Sequence, residues 1–133
     1  MPQFKALADD YTVVLKSGDT LSIKQVAGGP PLSATVLAAD GKVLNVMADP
    51  TPNPLCHNAP AMHPDNTQNS KSVALLFRYG SFTFFVGGDL TRDVEARLVC
   101  PSNLVGRVTL YQTDQHGLDL SNTRCSFTPW SPA

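Results

Sequence analysis

The chain has 133 residues, a length that suits one domain, and its composition excludes several classes of protein. Hydrophobic residues make up 42% and charged residues only 16%, which excludes a highly charged disordered tail and a coiled coil. The longest apolar runs, at 73–77 and 82–86, are too short to span a bilayer, so we expect no membrane association. The formal net charge of -1 argues against a stable nucleic-acid complex, but not against a small nucleotide as substrate.

The cysteines and the N-terminus bear on the cellular compartment. Cys56, Cys100 and Cys125 are odd in number and widely spaced, which is not typical of a disulfide framework. They predict buried or unpaired thiols in a reducing compartment. The first residues contain no basic stretch followed by an apolar core, so we expect a cytoplasmic location.

Residues 1–48 predict two β-hairpins. Residues 11–15 are β-branched and aromatic, and residues 20–26 alternate apolar and polar side chains after a turn. A second pair of strands is predicted on either side of Asp40-Gly41, a dipeptide that suits the positive φ angles of a two-residue turn.

Residues 49–69 predict a loop rich in proline and histidine. Proline lacks an amide donor and fixes φ, so neither a helix nor a central strand is expected here. A loop of this length within a compact domain is uncommon and often functional, and this one contains His57 and His63. The prolines are Pro50, Pro52, Pro54, Pro60 and Pro64.

Residues 70–122 predict a central hairpin, a helix and a further strand. Two apolar runs flank Tyr79-Gly80 and predict the hairpin. Thr91 is placed to cap a helix through Val99, with acidic residues in its first turn and Pro101 to end it. Residues 105–112 predict another strand, and residues 123–133 predict an irregular tail.

Two predicted strand ends each carry a candidate metal ligand. Asp89 follows two glycines, where the backbone can turn sharply, and His116 precedes Gly117 in a similar setting. Carboxylate oxygen and imidazole nitrogen are suitable ligands for zinc, and also for manganese or iron. A bound metal lowers the pKa of water and so supplies a nucleophile for hydrolysis.

The order of these motifs resembles the C-terminal half of a metallo-β-lactamase-fold hydrolase, in the branch of the hydrolase domain of DNA-uptake channel proteins. In that branch an Asn-and-Ser segment precedes a strand, Tyr-Gly joins a hairpin, a strand ends in Gly-Asp, and a later strand ends in His-His-Gly. The matching stretches here are Asn69-Ser70-Lys71-Ser72, Tyr79-Gly80, Gly87-Gly88-Asp89 and Gln115-His116-Gly117.

The resemblance implies an α+β fold: one β-rich half of an αββα sandwich, with mostly antiparallel strands and one main helix. It implies that Asp89 and His116 bind metal, with Gln115 in place of a second histidine or a glycine. The HxHxDH signature, which supplies most of the family's ligands, is absent from the chain. Because half a sandwich leaves one sheet face without its usual cover, we expect a homo-oligomer. Candidates for core or interface are Leu75, Phe77, Phe82, Phe84 and Val86.

The remaining ligands of a catalytic zinc, which needs about three protein ligands and a water, stay open at this point. His57 and His63 are the first candidates, followed by Asp65, Asp114, Asp119 and Cys56. Asp119 and Asp114 are also the candidates for a general acid.

The predicted function is metal-dependent, most simply zinc-dependent, hydrolysis of a small anionic phosphoester or nucleotide, with phosphodiesters favoured by the resemblance. The alternative is an inactive relic or a small binding module that keeps the scaffold without a metal. A serine esterase is disfavoured because no Gly-x-Ser-x-Gly elbow surrounds Ser70 or Ser72.

Overall fold

The computed structural model describes residues 12–45, 52–58, 62–118 and 121. Within these ranges five strands form one sheet in the order β2-β1-β3-β4-β5, with one α-helix. The strands are β1 (Leu32–Ala39), β2 (Lys42–Val43), β3 (Ala74–Tyr79), β4 (Phe82–Val86) and β5 (Leu110–Gln112), and the helix is α1 (Arg92–Val99). Three pairings are antiparallel, and β4 with β5 is parallel. The predicted α+β class is confirmed; descent from a metallo-β-lactamase fold stays a prediction.

The hairpin of β3 and β4 is the centre of the sheet, as its apolar runs predict. Tyr79 lies opposite Phe82, and Gly80 in the turn adopts a φ of 57°, which favours glycine. The hairpin of β1 and β2 also forms around Asp40-Gly41, although β2 has only two residues.

The first predicted hairpin is wrong for the described residues 12–26, which form no strand of their own. Gly18 and Leu21 instead donate backbone hydrogen bonds to Val36 and Ala34 of β1, at 2.8 and 2.9 Å. Val13 and Val14 are 78% and 79% exposed, so they have little of the cross-strand packing that stabilises a strand. Residue 11, at the start of the prediction, lies outside the described residues.

Helix α1 covers one face of the sheet and forms the core with it. Its residues Val94, Leu98 and Val99 are almost fully buried, and they pack with Ala74, Leu76 and Phe85 of β3 and β4. The helix begins after Thr91, as predicted, but the Thr91 hydroxyl donates to the Asp93 carboxylate at 2.6 Å and accepts no capping hydrogen bond from a backbone N–H. Burial of this apolar face is the main source of helix stability.

The other face of the sheet, here called the second face, is formed by Leu75, Phe77, Phe82, Phe84 and Val86. These are the residues predicted for core or interface. They are half-buried, except for Phe82, which is 43% exposed. Phe77 and Phe84 stack with their rings 6.1 Å apart. Tyr79 and Leu110 extend this surface and are 46% and 50% exposed.

The predicted proline-rich loop contains short 3₁₀ helices at Pro54–Asn58 and, at its end, Asn69–Lys71. A disulfide joins Cys56 to Cys100, so the expectation of unpaired thiols is wrong for these two cysteines. Cys125 lies outside the described residues. The described ranges contain no helix long and apolar enough to cross a membrane.

Candidate functional site

Asp89 and His116 lie next to each other at the carboxyl ends of the two parallel strands. Strand β4 leads to Asp89, α1 crosses the sheet, and β5 returns beside β4 and leads to His116. Parallel strands need such a crossover, and their carboxyl ends form a recurring location for ligands. The sequence predicted two strand ends with one candidate ligand each; the structure brings the two ends together.

The distance between the two side chains suits a shared metal ion. The Nε2 atom of His116 lies 3.6 Å from Oδ1 of Asp89. Zinc–nitrogen and zinc–oxygen distances near 2.1 Å with a tetrahedral angle place two ligand atoms about 3.4 Å apart. The side chains are 87% and 48% exposed, so the space beyond them is accessible to a ligand. The donor types and their separation therefore fit two positions of a metal site.

Gln115 joins the two loops that carry this pair. Its backbone N–H donates to Gly88 O at 3.0 Å, and its side-chain Nε2 donates to Asp89 O at 3.2 Å. Gln115 and His116 both adopt left-handed φ values, 45° and 56°, which are uncommon for residues other than glycine. Gln115 is thus 5% exposed, and its two hydrogen bonds hold the loop that carries His116.

A buried acidic cluster of Glu95, Asp114 and Tyr111 lies beneath the same loop. Glu95 is 3% exposed and Asp114 is fully buried. Burial, together with a side-chain hydrogen bond and the charge of Glu95, raises the pKa of Asp114 to about 9. Burial, followed by the charges of Asp114 and Glu95, raises the pKa of Tyr111. The raised pKa favours a carboxyl pair that keeps one proton between Asp114 and Glu95 and so connects α1 to the loop by a hydrogen bond.

Gly87 makes room for the Asp114 carboxyl group. A Cβ atom at Gly87 would lie 2.8 Å from the Asp114 carboxyl carbon, closer than packed atoms allow. The Gly87 backbone also donates a hydrogen bond to this carboxyl group. The glycine before Gly88-Asp89 is therefore required by the close approach of the second loop.

The structure places the other predicted site residues elsewhere. His57 follows Cys56, which is bonded to Cys100 at the far end of α1 from Asp89, and the helix is about 12 Å long. His63 is exposed, and its neighbours Met62 and Pro64, rather than His63 itself, line a separate cleft. No group of three possible ligands from His, Cys, Asp and Glu occurs among the described residues. The roles of His57 and His63 as ligands stay predictions, and Asp119 lies outside the described ranges.

The separate cleft has a volume of about 790 Å³ and lies between the outer side of α1 and the segment from Met62 to Lys71. Arg97 crosses it and donates to Gly41 O at 2.8 Å. The same guanidinium lies 3.4 Å from the Asp93 carboxylate. Lys71 and Asp65 are further charged residues in its wall, and Thr67 donates hydrogen bonds that lower the pKa of Asp65.

Three parts of the site go beyond what the sequence indicates. The position of Glu95 in the chain predicts only a favourable charge in the first turn of α1, and the roles of Tyr111 and Gly87 are not predicted. The sequence provides little indication of these roles, because the contact between Glu95 on α1 and Asp114 after β5 depends on the order of the strands in the sheet.

No family model matches the chain, and no curated protein and no solved structure is significantly similar to it. The functional assignment therefore depends on the residues and their geometry, together with the motif resemblance.

Proposed function

We propose that the chain is a metal-dependent hydrolase of small phosphoester compounds, with Asp89 and His116 as two of the metal ligands. The observation that carries the proposal is the 3.6 Å separation of their side-chain atoms at the ends of adjacent parallel strands. Zinc fits the donor types best, and manganese or iron are alternatives. When bound, such a metal supplies an activated water and polarises the phosphoryl oxygen.

The chain's own residues have distinct roles in this proposal. Asp89 and His116 hold the metal, and Gln115 fixes the loop that presents His116. Asp114 is fully buried, so we assign it to positioning the loop rather than to proton donation to substrate. Asp119 then stays the candidate general acid.

The substrate, partners and location are finer parts of the same proposal. The motif resemblance supports a phosphodiester or nucleotide substrate and no stable complex with nucleic acid. The partly exposed second face, with Phe82, Tyr79 and Leu110 at its surface, supports a homo-oligomer. A cytoplasmic location was expected partly from three unpaired thiols, and the Cys56–Cys100 disulfide removes that support.

A second candidate function is a small binding module that has kept the scaffold without catalysis. A catalytic zinc needs about three protein ligands, but among the described residues no third candidate ligand joins Asp89 and His116. This observation favours the binding module. This candidate predicts that no stoichiometric metal binds and that no phosphoester is hydrolysed.

Calorimetric titration with zinc and a phosphodiesterase assay on bis(p-nitrophenyl) phosphate test the proposal together. We expect stoichiometric zinc binding and zinc-dependent hydrolysis, both lost in Asp89→Ala and His116→Ala. Asp40→Ala is the matched control, because Asp40 is an exposed acid in a turn away from the pair. Metal binding without hydrolysis would contradict the hydrolase, and no binding at all would also remove the metal site.

A further inference from the structure

The disulfide between Cys56 and Cys100 joins the end of a core helix to a segment that lies outside the sheet. Cys100 directly follows α1, whose residues Leu98 and Val99 belong to the core. Cys56 belongs to the segment 52–58, which contains the 3₁₀ helix Pro54–Asn58 and lies outside the sheet. The Cα atoms of the two cysteines are 5.8 Å apart, across 44 residues of sequence.

Hydrogen bonds between this segment and the rest of the fold gather at one place. Pro52 and Pro54 have no N–H to donate, which limits the backbone hydrogen bonding of the segment. The N–H of Asn53 donates to Pro101 O at 2.6 Å, and its Nδ2 donates to Val99 O at 3.0 Å. An isolated bridge pairs Pro52 with Ser102. All of these contacts reach residues 99–102, the same site at which the disulfide is made.

The disulfide also borders the cleft. Cys100 contributes to its wall together with Ala96 and Arg97, and the opposite wall begins at Met62, downstream of Cys56. The disulfide therefore attaches the segment 52–58 to the end of α1, and this segment directly precedes the residues of the opposite wall in the sequence.

We infer that the Cys56–Cys100 disulfide is a redox-sensitive latch. When closed, it holds the segment 52–58 on the C-terminal end of α1; when opened, it releases this segment and the adjoining cleft wall while the sheet and helix stay folded. Opening requires a dithiol: the disulfide accepts two electrons and two protons and becomes two thiols, and the dithiol is oxidised to its own disulfide. The latch closes in an oxidising compartment and opens in a reducing one. This inference does not depend on the proposed hydrolase.

Backbone amide hydrogen exchange, measured with and without dithiothreitol, tests the latch. We expect reduction to speed exchange at least about tenfold for the amides of Asn53 and Cys56, through local opening of the segment. The amides of β3 and β4 should keep their rates, because their hydrogen bonds lie in the central hairpin. Alkylation of the oxidised chain should leave two of its three cysteines unmodified.

Three variants test whether the behaviour of the segment depends on this bridge. Cys56→Ser and Cys100→Ser should show the fast exchange without reductant, and Cys125→Ser should behave as the wild type. Equal exchange rates with and without dithiothreitol would overturn the inference, since the segment would then be held without the bridge. Faster exchange throughout β3 and β4 would also overturn it, because the bridge would be required for the whole fold. Alkylation of all three cysteines in the oxidised chain would show that no bridge forms.

Discussion

The Asp89 carboxylate lies 3.6 Å from the His116 imidazole, although the two residues belong to loops on opposite sides of helix α1 in the chain. The parallel pairing of β4 and β5 makes this contact, since it places both strand ends at one edge of the sheet. Two further contacts connect the loops: Gln115 donates to the Asp89 carbonyl, and the Gly87 backbone donates to the buried carboxyl group of Asp114. The pair is the basis of the proposed metal site.

Zinc should stabilise the fold if this pair binds it. At a free zinc concentration a hundred times the dissociation constant, binding adds about 2.7 kcal/mol and should raise Tm by about 10 °C. Thermal unfolding followed by circular dichroism measures the shift, which a chelator should reverse. His116→Ala should abolish it, whereas His57→Ala should keep it if the remaining ligands come from elsewhere. An equal shift in wild type and His116→Ala would show that zinc binds at another site.

Substitution of Gly87 by alanine should destabilise the fold and displace the loop that carries His116. The added Cβ would overlap the Asp114 carboxyl group, which is fully buried and cannot move into solvent. We expect a loss of about 1–3 kcal/mol in the free energy of unfolding, measured with urea, together with weaker zinc binding. Gly29→Ala is the matched control, because its closest contact would be the hydroxyl end of Tyr79, at 3.1 Å. Comparable losses in both variants would argue against a special role of Gly87.

Local sequence signals predicted the elements that depend on neighbouring residues. The turn at Asp40-Gly41 and the helix between Thr91 and Pro101 form where the pattern places them, and the turn predicted at Tyr79-Gly80 forms one residue later, at Gly80 and Ser81. The strand predicted at 105–112 shortens to Leu110–Gln112, because residues before it bond to Thr83 partly through side chains instead of in a regular ladder.

Features that depend on distant contacts were not predicted. The alternating residues 20–26 predicted a strand, but only the beginning of this segment forms backbone hydrogen bonds with β1. Glu95 was expected as an ordinary charge near a helix terminus, and its burial against Asp114 depends on the parallel placement of β5. Cys56 and Cys100 were expected as thiols, because nothing in their spacing shows that the segment 52–58 packs against the end of α1.

The stability of the protein should fall as the pH rises from about 4 towards 9. Asp114 has a pKa of about 9 in the folded chain and an ordinary value of 3.8 when exposed. Between these two pKa values the folded state holds a proton on Asp114 that the unfolded state has lost. The stabilisation from this proton is complete below the pKa of the unfolded state, and it is lost as the pH rises through the pKa of the folded state. For one proton the free energy of unfolding changes by on the order of 1 kcal/mol per pH unit in this range.

Urea unfolding at pH 5, 7 and 9 measures this slope. Asp114→Asn should flatten it, because the variant cannot ionise. Glu95→Gln should end the pH dependence at a lower pH, because the pKa of Asp114 falls when the neighbouring charge is removed. Asp40→Asn, at an exposed turn, should retain the slope of the wild type. A wild-type stability that increases between pH 5 and 9 would contradict a protonated Asp114.

The second face should mediate self-association of the chain. Tyr79, Phe82 and Leu110 are each exposed by between 43% and 50%, beside the half-buried stack of Phe77 and Phe84. Contiguous apolar surface of this kind is uncommon on a monomer and typical of a protein interface. Sedimentation velocity should detect a species larger than the monomer, whose fraction increases with protein concentration. Phe82→Asp and Leu110→Asp should return it to monomer by introducing charges that association would have to desolvate. Val26→Asp, at a residue 80% exposed in a loop, should associate like the wild type; a loss of association in this control would show that charge alone, rather than the second face, governs the oligomer.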